Sequence, residues 1–126
     1  MRILIISILI IANAASCGKQ KVIGDKLIGE WVLKSEYMDP GDGSGKYSDV
    51  AGGSTKTVTF KQDSTFENKD LSNFDYQHYS INSDSTLTFK SNNNVDIQMR
   101  YRISGDLLTI NPPCREGCGY RFQKLK

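Results

Sequence analysis

The chain has 126 residues, 16 Lys and Arg against 14 Asp and Glu, 38% hydrophobic residues and three cysteines, which suits one small globular domain and leaves no room for two. Its formal charge of +2 comes from basic residues spread singly among Asp, Ser and Asn rather than gathered in a stripe, which argues against nucleic acid as a partner.

At the N-terminus, Met1 and Arg2 are followed by the apolar run ILIISILII (3–11), the small-residue stretch Ala12-Asn13-Ala14-Ala15-Ser16 and then Cys17, the layout of a signal peptide over 1–16. As a helix, 3–16 would reach roughly 21 Å, too short for a hydrocarbon layer of about 30 Å. Ala14-Ala15-Ser16-Cys17 resembles the lipobox of bacterial lipoproteins, in which the cysteine thiol accepts a diacylglycerol and becomes the mature N-terminus. The resemblance implies a lipid-anchored protein of the bacterial cell envelope, in the outer membrane. Acyl chains contribute about 0.8 kcal/mol per buried methylene, so two or three of them hold a small domain on a bilayer. Lys19 and Lys21 stand where acidic residues direct some lipoproteins to the cell surface, which favours the periplasmic face. Residues 17–25, polar and glycine-containing after the cysteine, read as a tether.

From 26 to 126 the hydrophobic period is two, the mark of half-buried strands. Trp31, Leu33 and Tyr37 alternate with Val32, Lys34 and Glu36, and Val58 and Phe60 with Thr57, Thr59 and Lys61. Residues 65–69, 76–82 and 86–90 follow. Val95, Ile97, Met99, Tyr101 and Ile103 then alternate without a fault against Asp96, Gln98, Arg100 and Arg102, before 107–111 and 120–125. This predicts eight strands and no helix. The short polar links at 62–64, 83–85, 92–94 and 104–106 allow only antiparallel neighbours, so the fold class is all-β, an eight-stranded up-and-down meander. Closing into a barrel removes the exposed edges, and a flatter sandwich is the alternative. Two links are longer: 38–54, glycine-rich, which reads as a lid over one end, and 70–75.

Gly29-Glu30-Trp31, at the start of the first strand, resembles the Gly-x-Trp of lipocalins and related calycins. With the lipobox and the ending Cys114-Arg115-Glu116-Gly117-Cys118-Gly119-Tyr120-Arg121-Phe122, the chain is similar to small lipocalin-like lipoproteins of Gram-negative bacteria. The resemblance implies a barrel over 26–126 whose closed end is plugged by Trp31, with Arg121 stacked on its ring, or Lys124 in its place. Asp75-Tyr76-Gln77-His78-Tyr79 mimics the Thr-Asp-Tyr of lipocalins, but at the wrong point in the strand order.

With Cys17 lipidated, Cys114 and Cys118 form an even pair in an oxidising compartment and are expected to be disulfide-linked; a metal or redox site is the rival, at a spacing that is not Cys-x-x-Cys. The bridged loop after Pro112-Pro113 would be a rigid knob. His78 alternates outward as a solvated residue, and no nucleophile, base and oxyanion donor can be assembled, so no enzyme is expected. Asp39, Asp42 and Asp49 lack the spacing of a calcium loop, and neither metal nor cofactor is expected. Six Tyr and five Phe either fill the barrel or line a pocket. On the pocket reading, Tyr37, Met38, Tyr47, Phe74, Tyr76 and Tyr79 bind a small hydrophobic or amphipathic ligand at the barrel mouth. The alternative is a protein-interaction or inhibitor module that docks an envelope partner through the Cys114–Cys118 loop, with Arg115 and Glu116 at its tip.

Overall fold

The computed structural model describes residues 24–125. The expected signal peptide 1–16, Cys17 and the tether as far as 23 lie outside the described residues. Gly24 and Asp25, read from sequence as the end of the tether, belong instead to a helical turn over 24–27, closed by the Ile28 N–H donating to Gly24 O at 3.0 Å. Leu27 in that turn is fully buried, which helps hold the turn to the domain.

Nine strand segments follow: β1 (Gly29–Met38), β2 (Lys46–Asp49), β3 (Thr57–Phe60), β4 (Phe66–Lys69), β5 (His78–Ile81), β6 (Thr86–Lys90), β7 (Asp96–Ser104), β8 (Leu107–Asn111) and β9 (Cys118–Lys124). Their order is β4-β3-β1-β9-β8-β7-β6-β5, with every pairing antiparallel. β2 and β3 lie end to end along one side of β1, β2 against Ser35–Met38 and β3 against Gly29–Val32. They form one barrel strand interrupted by an excursion, which leaves eight strands in an up-and-down ring. β4 and β5 nearly close it through a bridge between Thr65 and His78, supported by Phe66 N–H to Gln77 O at 2.8 Å and Tyr79 N–H to Ser64 O at 3.0 Å. The β7–β8 turn has two residues, with Gly105 at φ 59°, a conformation that a side chain would strain.

Three sequence expectations need correction. The segment 38–54 is not a lid: its middle is β2, hidden from the period-two pattern because Lys46, Ser48 and Asp49 are all exposed and polar. The stretch lying across the mouth is 70–76, where a 3-10 turn (Ser72–Phe74) sets Phe74 fully buried in the core. Together with the turn at 24–27, that element also departs from the expectation of no helix. The third correction concerns β1. Leu33 pairs with Phe122 but Ser35 pairs with Arg121, so Lys34 is an extra residue, a β-bulge. Beyond it the side-chain phase reverses, and Tyr37 stands on the outer face rather than inside with Trp31 and Leu33.

Aromatic rings fill the interior. Trp31, Phe60, Phe66, Phe74, Phe89 and Phe122 are all at or below 2% exposure. Phe60 meets Phe66 and Tyr79 edge-on at 5.0 Å, Phe66 meets Phe89 at 5.0 Å, and Phe74 meets Tyr120 at 5.0 Å and Phe122 at 5.9 Å. Such edge-to-face pairs add about 0.5–1.5 kcal/mol each beyond the burial of apolar area. Trp31 sits at the end where the chain enters, and its Nε1–H donates to Leu27 O at 2.9 Å.

Candidate functional site

The six residues assigned from sequence to one ligand site do not converge. Phe74 is buried among other rings, and Tyr76 packs half-buried on Phe89 at 5.3 Å. Tyr79 is buried and points toward the closed end, its hydroxyl donating to Lys61 O at 2.7 Å. Met38 is 69% exposed at the tip of β1. Tyr37 and Tyr47 face outward as a cross-strand pair with ring centroids 5.3 Å apart. The guanidinium of Arg121 lies 3.5 Å over the Tyr47 ring, not over Trp31; Lys124 takes the Trp31 position, its Nζ 5.0 Å from the ring and donating to Lys26 O at 2.8 Å. The alternation of β9 explains the exchange: Tyr120, Phe122 and Lys124 share the inner phase, and Arg121 falls on the outer one.

What the outer face assembles instead is a cleft of about 420 Å³ at the mouth end, lined by Tyr37, Gln98, Arg100, Asn111 and the walls of the Cys114–Cys118 loop with Pro112 and Pro113. Cys114 and Cys118 stand at disulfide distance, with Cα atoms 5.7 Å apart. The loop is stiffened further by Cys114 N–H donating to Pro112 O at 2.9 Å and by the Asn111 amide donating to Cys118 O at 3.2 Å. Gly119 is needed beside it: a Cβ there would fall 2.6 Å from the Tyr47 hydroxyl and 2.7 Å from the Asn111 amide nitrogen, so both polar groups rest in the space a side chain would occupy.

A second loop braces the cleft. The Asp39 carboxylate is buried and accepts N–H groups from Gly41 at 2.8 Å, Gly43 at 3.1 Å and Gly45 at 3.3 Å, with the Tyr37 hydroxyl at 3.4 Å. The Gly41 N–H leads in holding the Asp39 carboxyl below 3.8, while burial, and then the Asp39 charge, push the Tyr37 phenol above 10.0. Asp39, weighed from sequence as a calcium ligand, thus has its acceptors occupied by the glycine-rich turn. Its own N–H donates to Gly117 O at 3.2 Å, tying the 39–45 loop to the disulfide loop. Among the described residues no three His, Cys, Asp or Glu side chains gather as a metal site.

The chain matches no family model, no curated protein and no solved structure. The cleft is therefore read from its own chemistry. Arg100 is its only charged lining residue and is exposed, and its guanidinium forms neither an ion pair nor a hydrogen bond among the described residues, whose ion pairs are Lys61–Glu67 and Lys90–Asp96. Arg102 follows on the same face of β7, and Arg121 lies across Thr109 from it. Sequence reading missed Gln98, Arg100 and Asn111 because the polar phase of a strand ordinarily means solvent. The available signal was that this phase carries Arg at 100, 102 and 121 without acidic partners opposite. Among the described residues, further clefts lie along Asn68–Asp75 and beside Lys26 and Lys124; none of the fully buried aromatic residues lines either of these or the outer cleft.

Proposed function

We propose that the chain is a lipid-anchored, lipocalin-like module of the bacterial cell envelope that docks a partner protein in the outer cleft beside the Cys114–Cys118 loop, and that it performs no catalysis. One observation carries this reading: the barrel interior is occupied by its own rings, while a preformed cleft with an unpartnered guanidinium stands open on the outer face. Geometry supports it further. β1 runs nine steps from Gly29, near the tethered end, to Met38, which pairs with Cys118; at about 3.3 Å per residue the cleft stands roughly 30 Å from the point of chain entry. A site so placed lies at the end of the barrel opposite the one where the chain enters.

The test is capture of the partner from native membranes extracted in mild detergent, comparing the natural chain with Asn111→Trp, whose indole fills the cleft. The natural chain is expected to retain one stoichiometric protein that the variant loses; equal capture by both sinks the reading. The second reading, a small apolar or amphipathic ligand at the mouth, is favoured by the exposure of Met38 and by half-buried Tyr76. It predicts a co-purified small molecule, seen by mass spectrometry, that Asn111→Trp leaves in place.

A further inference from the structure

We infer that the ligand group taken by the outer cleft is a carboxylate carried on an extended peptide, gripped by Arg100. This rests on the docking reading above and deepens it. Arg100 presents a planar fork with no partner, two-dimensionally matched to the two oxygens of a carboxylate, at a position where no lining residue carries negative charge. Phosphate would fit the fork as well, but the neighbouring groups discriminate. The Gln98 amide presents an acceptor as well as donors, and the Asn111 amide, whose nitrogen is engaged with Cys118 O, has its oxygen left to accept. A phosphate near neutral pH offers them acceptors and at most one or two O–H donors on a single compact group. A peptide backbone offers N–H groups to those amide oxygens and C=O groups to the Gln98 nitrogen.

The walls favour an extended chain. Pro112 and Pro113 present ring faces and no N–H, and the disulfide loop holds them in place, so a peptide laid along β8 meets a rigid, partly apolar edge. Arg102 and Arg121 extend the positive field along the same outer face, Arg102 two residues on from Arg100 and Arg121 across Thr109. Two sources supply the same group: an acidic side chain within a segment, or a free C-terminus.

Titration of the isotope-labelled chain with three probes separates these outcomes, followed by the backbone amide shifts of 98–100 and 111–118. The probes are an acetylated, amidated tetrapeptide Gly-Glu-Glu-Gly, an acetylated tetraglycine with a free C-terminus, and inorganic phosphate; the amidated Gly-Lys-Lys-Gly peptide is the control. Saturable shifts confined to the cleft are expected with at least one carboxylate peptide, and the stronger of the two names the source. Arg100→Gln should weaken that binding roughly ten- to hundredfold, and Arg100→Lys, which keeps the charge and loses the fork, should fall between. Arg100 is exposed, so an unchanged melting profile verifies that each variant folds. Equal binding by Arg100→Gln, equal binding of the Lys peptide, or tighter binding of phosphate than of both carboxylate peptides overturns the inference. If Arg100→Gln still captures the membrane partner that Asn111→Trp loses, the docking reading stands and the carboxylate assignment alone fails.

Discussion

Replacing Phe74 by Ala separates a plug from a ligand-contact residue. Phe74 is fully buried although it sits in a 3-10 turn that has no side-chain cap, and with buried Leu71 and the Asn68 amide donating to Phe74 O at 2.7 Å its ring holds the 70–76 segment to the core. It lies 5.0 Å from Tyr120, 5.9 Å from Phe122 and 6.4 Å from both Phe66 and Phe89, all in β strands that cannot collapse freely into the space left behind. Loss of the transferred ring and the residual cavity costs about 3–5 kcal/mol for a core Phe, and rigid neighbours on four sides put this site near 4. A domain stable by about 5–15 kcal/mol survives that loss, with little to spare at the low end. At a urea dependence of about 1.5 kcal/mol per molar, the unfolding midpoint falls by about 2.7 M. Trp31, the single Trp, is fully buried at the other end of the barrel, so its emission reports whether the whole ring of strands has become weaker or only the turn has loosened. Phe74→Leu refills part of the volume but loses the ring pairs, and should fall between the natural chain and the Ala variant. An Ala variant with an unchanged midpoint by Trp31 emission would refute the packed-interior account and return Phe74 to the role of a wall in a ligand pocket.

Further expectations test the remaining supports. Trp31→Phe leaves Leu27 O without its donor and should cost about 2 kcal/mol, read by circular dichroism during urea unfolding. Reduction of Cys114–Cys118, which closes a loop of five residues, should cost about 2 kcal/mol and lower the melting temperature by roughly 10 °C, while the 98–100 amides shift as the cleft wall loosens. Asp39 titrates in the folded chain below 3.8, so its contribution to stability is complete above that value and is lost as pH falls through the lower folded-state one. Carboxyl NMR should find that depressed midpoint with the Gly41, Gly43 and Gly45 amides moving in step, and Asp39→Asn should abolish the acid-dependent step; a midpoint at or above 3.8 contradicts the cage of glycine N–H groups.

How far the fold was legible depends on whether burial is written into the period. Over 95–103 the inner residues Met99 and Tyr101 are buried and the outer Gln98, Arg100 and Arg102 exposed, so two-residue alternation alone places β7 to within one residue at each end. β2 fails the same test for a physical reason: it pairs with β1 through backbone groups while Lys46, Ser48 and Asp49 stay in water, and hydrogen bonds between main chains leave no mark on hydrophobicity. The 70–76 plug fails differently, because one ring in a short turn has no period to detect, and only the tertiary packing of Phe74 reveals it.

The candidate site depends on a feature still harder to read. Without the bulge at Lys34, Tyr37 would fall opposite Cys118 and point inward, and the outer face would lack both the Tyr37–Tyr47 pair and the phenol beside Asp39. One extra residue in one strand thus moves an aromatic from the barrel interior to the cleft wall, since a shift of one position inverts every side chain beyond it. Lys34 itself, exposed and charged in the middle of β1, is compatible with ordinary outward alternation, so nothing in the residue distinguishes a bulge from a regular position. The residues downstream are equally silent: continued alternation from Trp31 and Leu33 would send Ser35 inward and Glu36 outward, a regular pattern, whereas Ser35 pairs with outward Arg121 and Glu36 with inward Tyr120. An acidic side chain falling on the inner phase is tolerable only near an open end, and β1 reaches the mouth at Met38, two residues on. The bulge is therefore what sets one wall of the outer cleft, and the placing of Tyr37 on the surface while Tyr120 stays in the core follows from it.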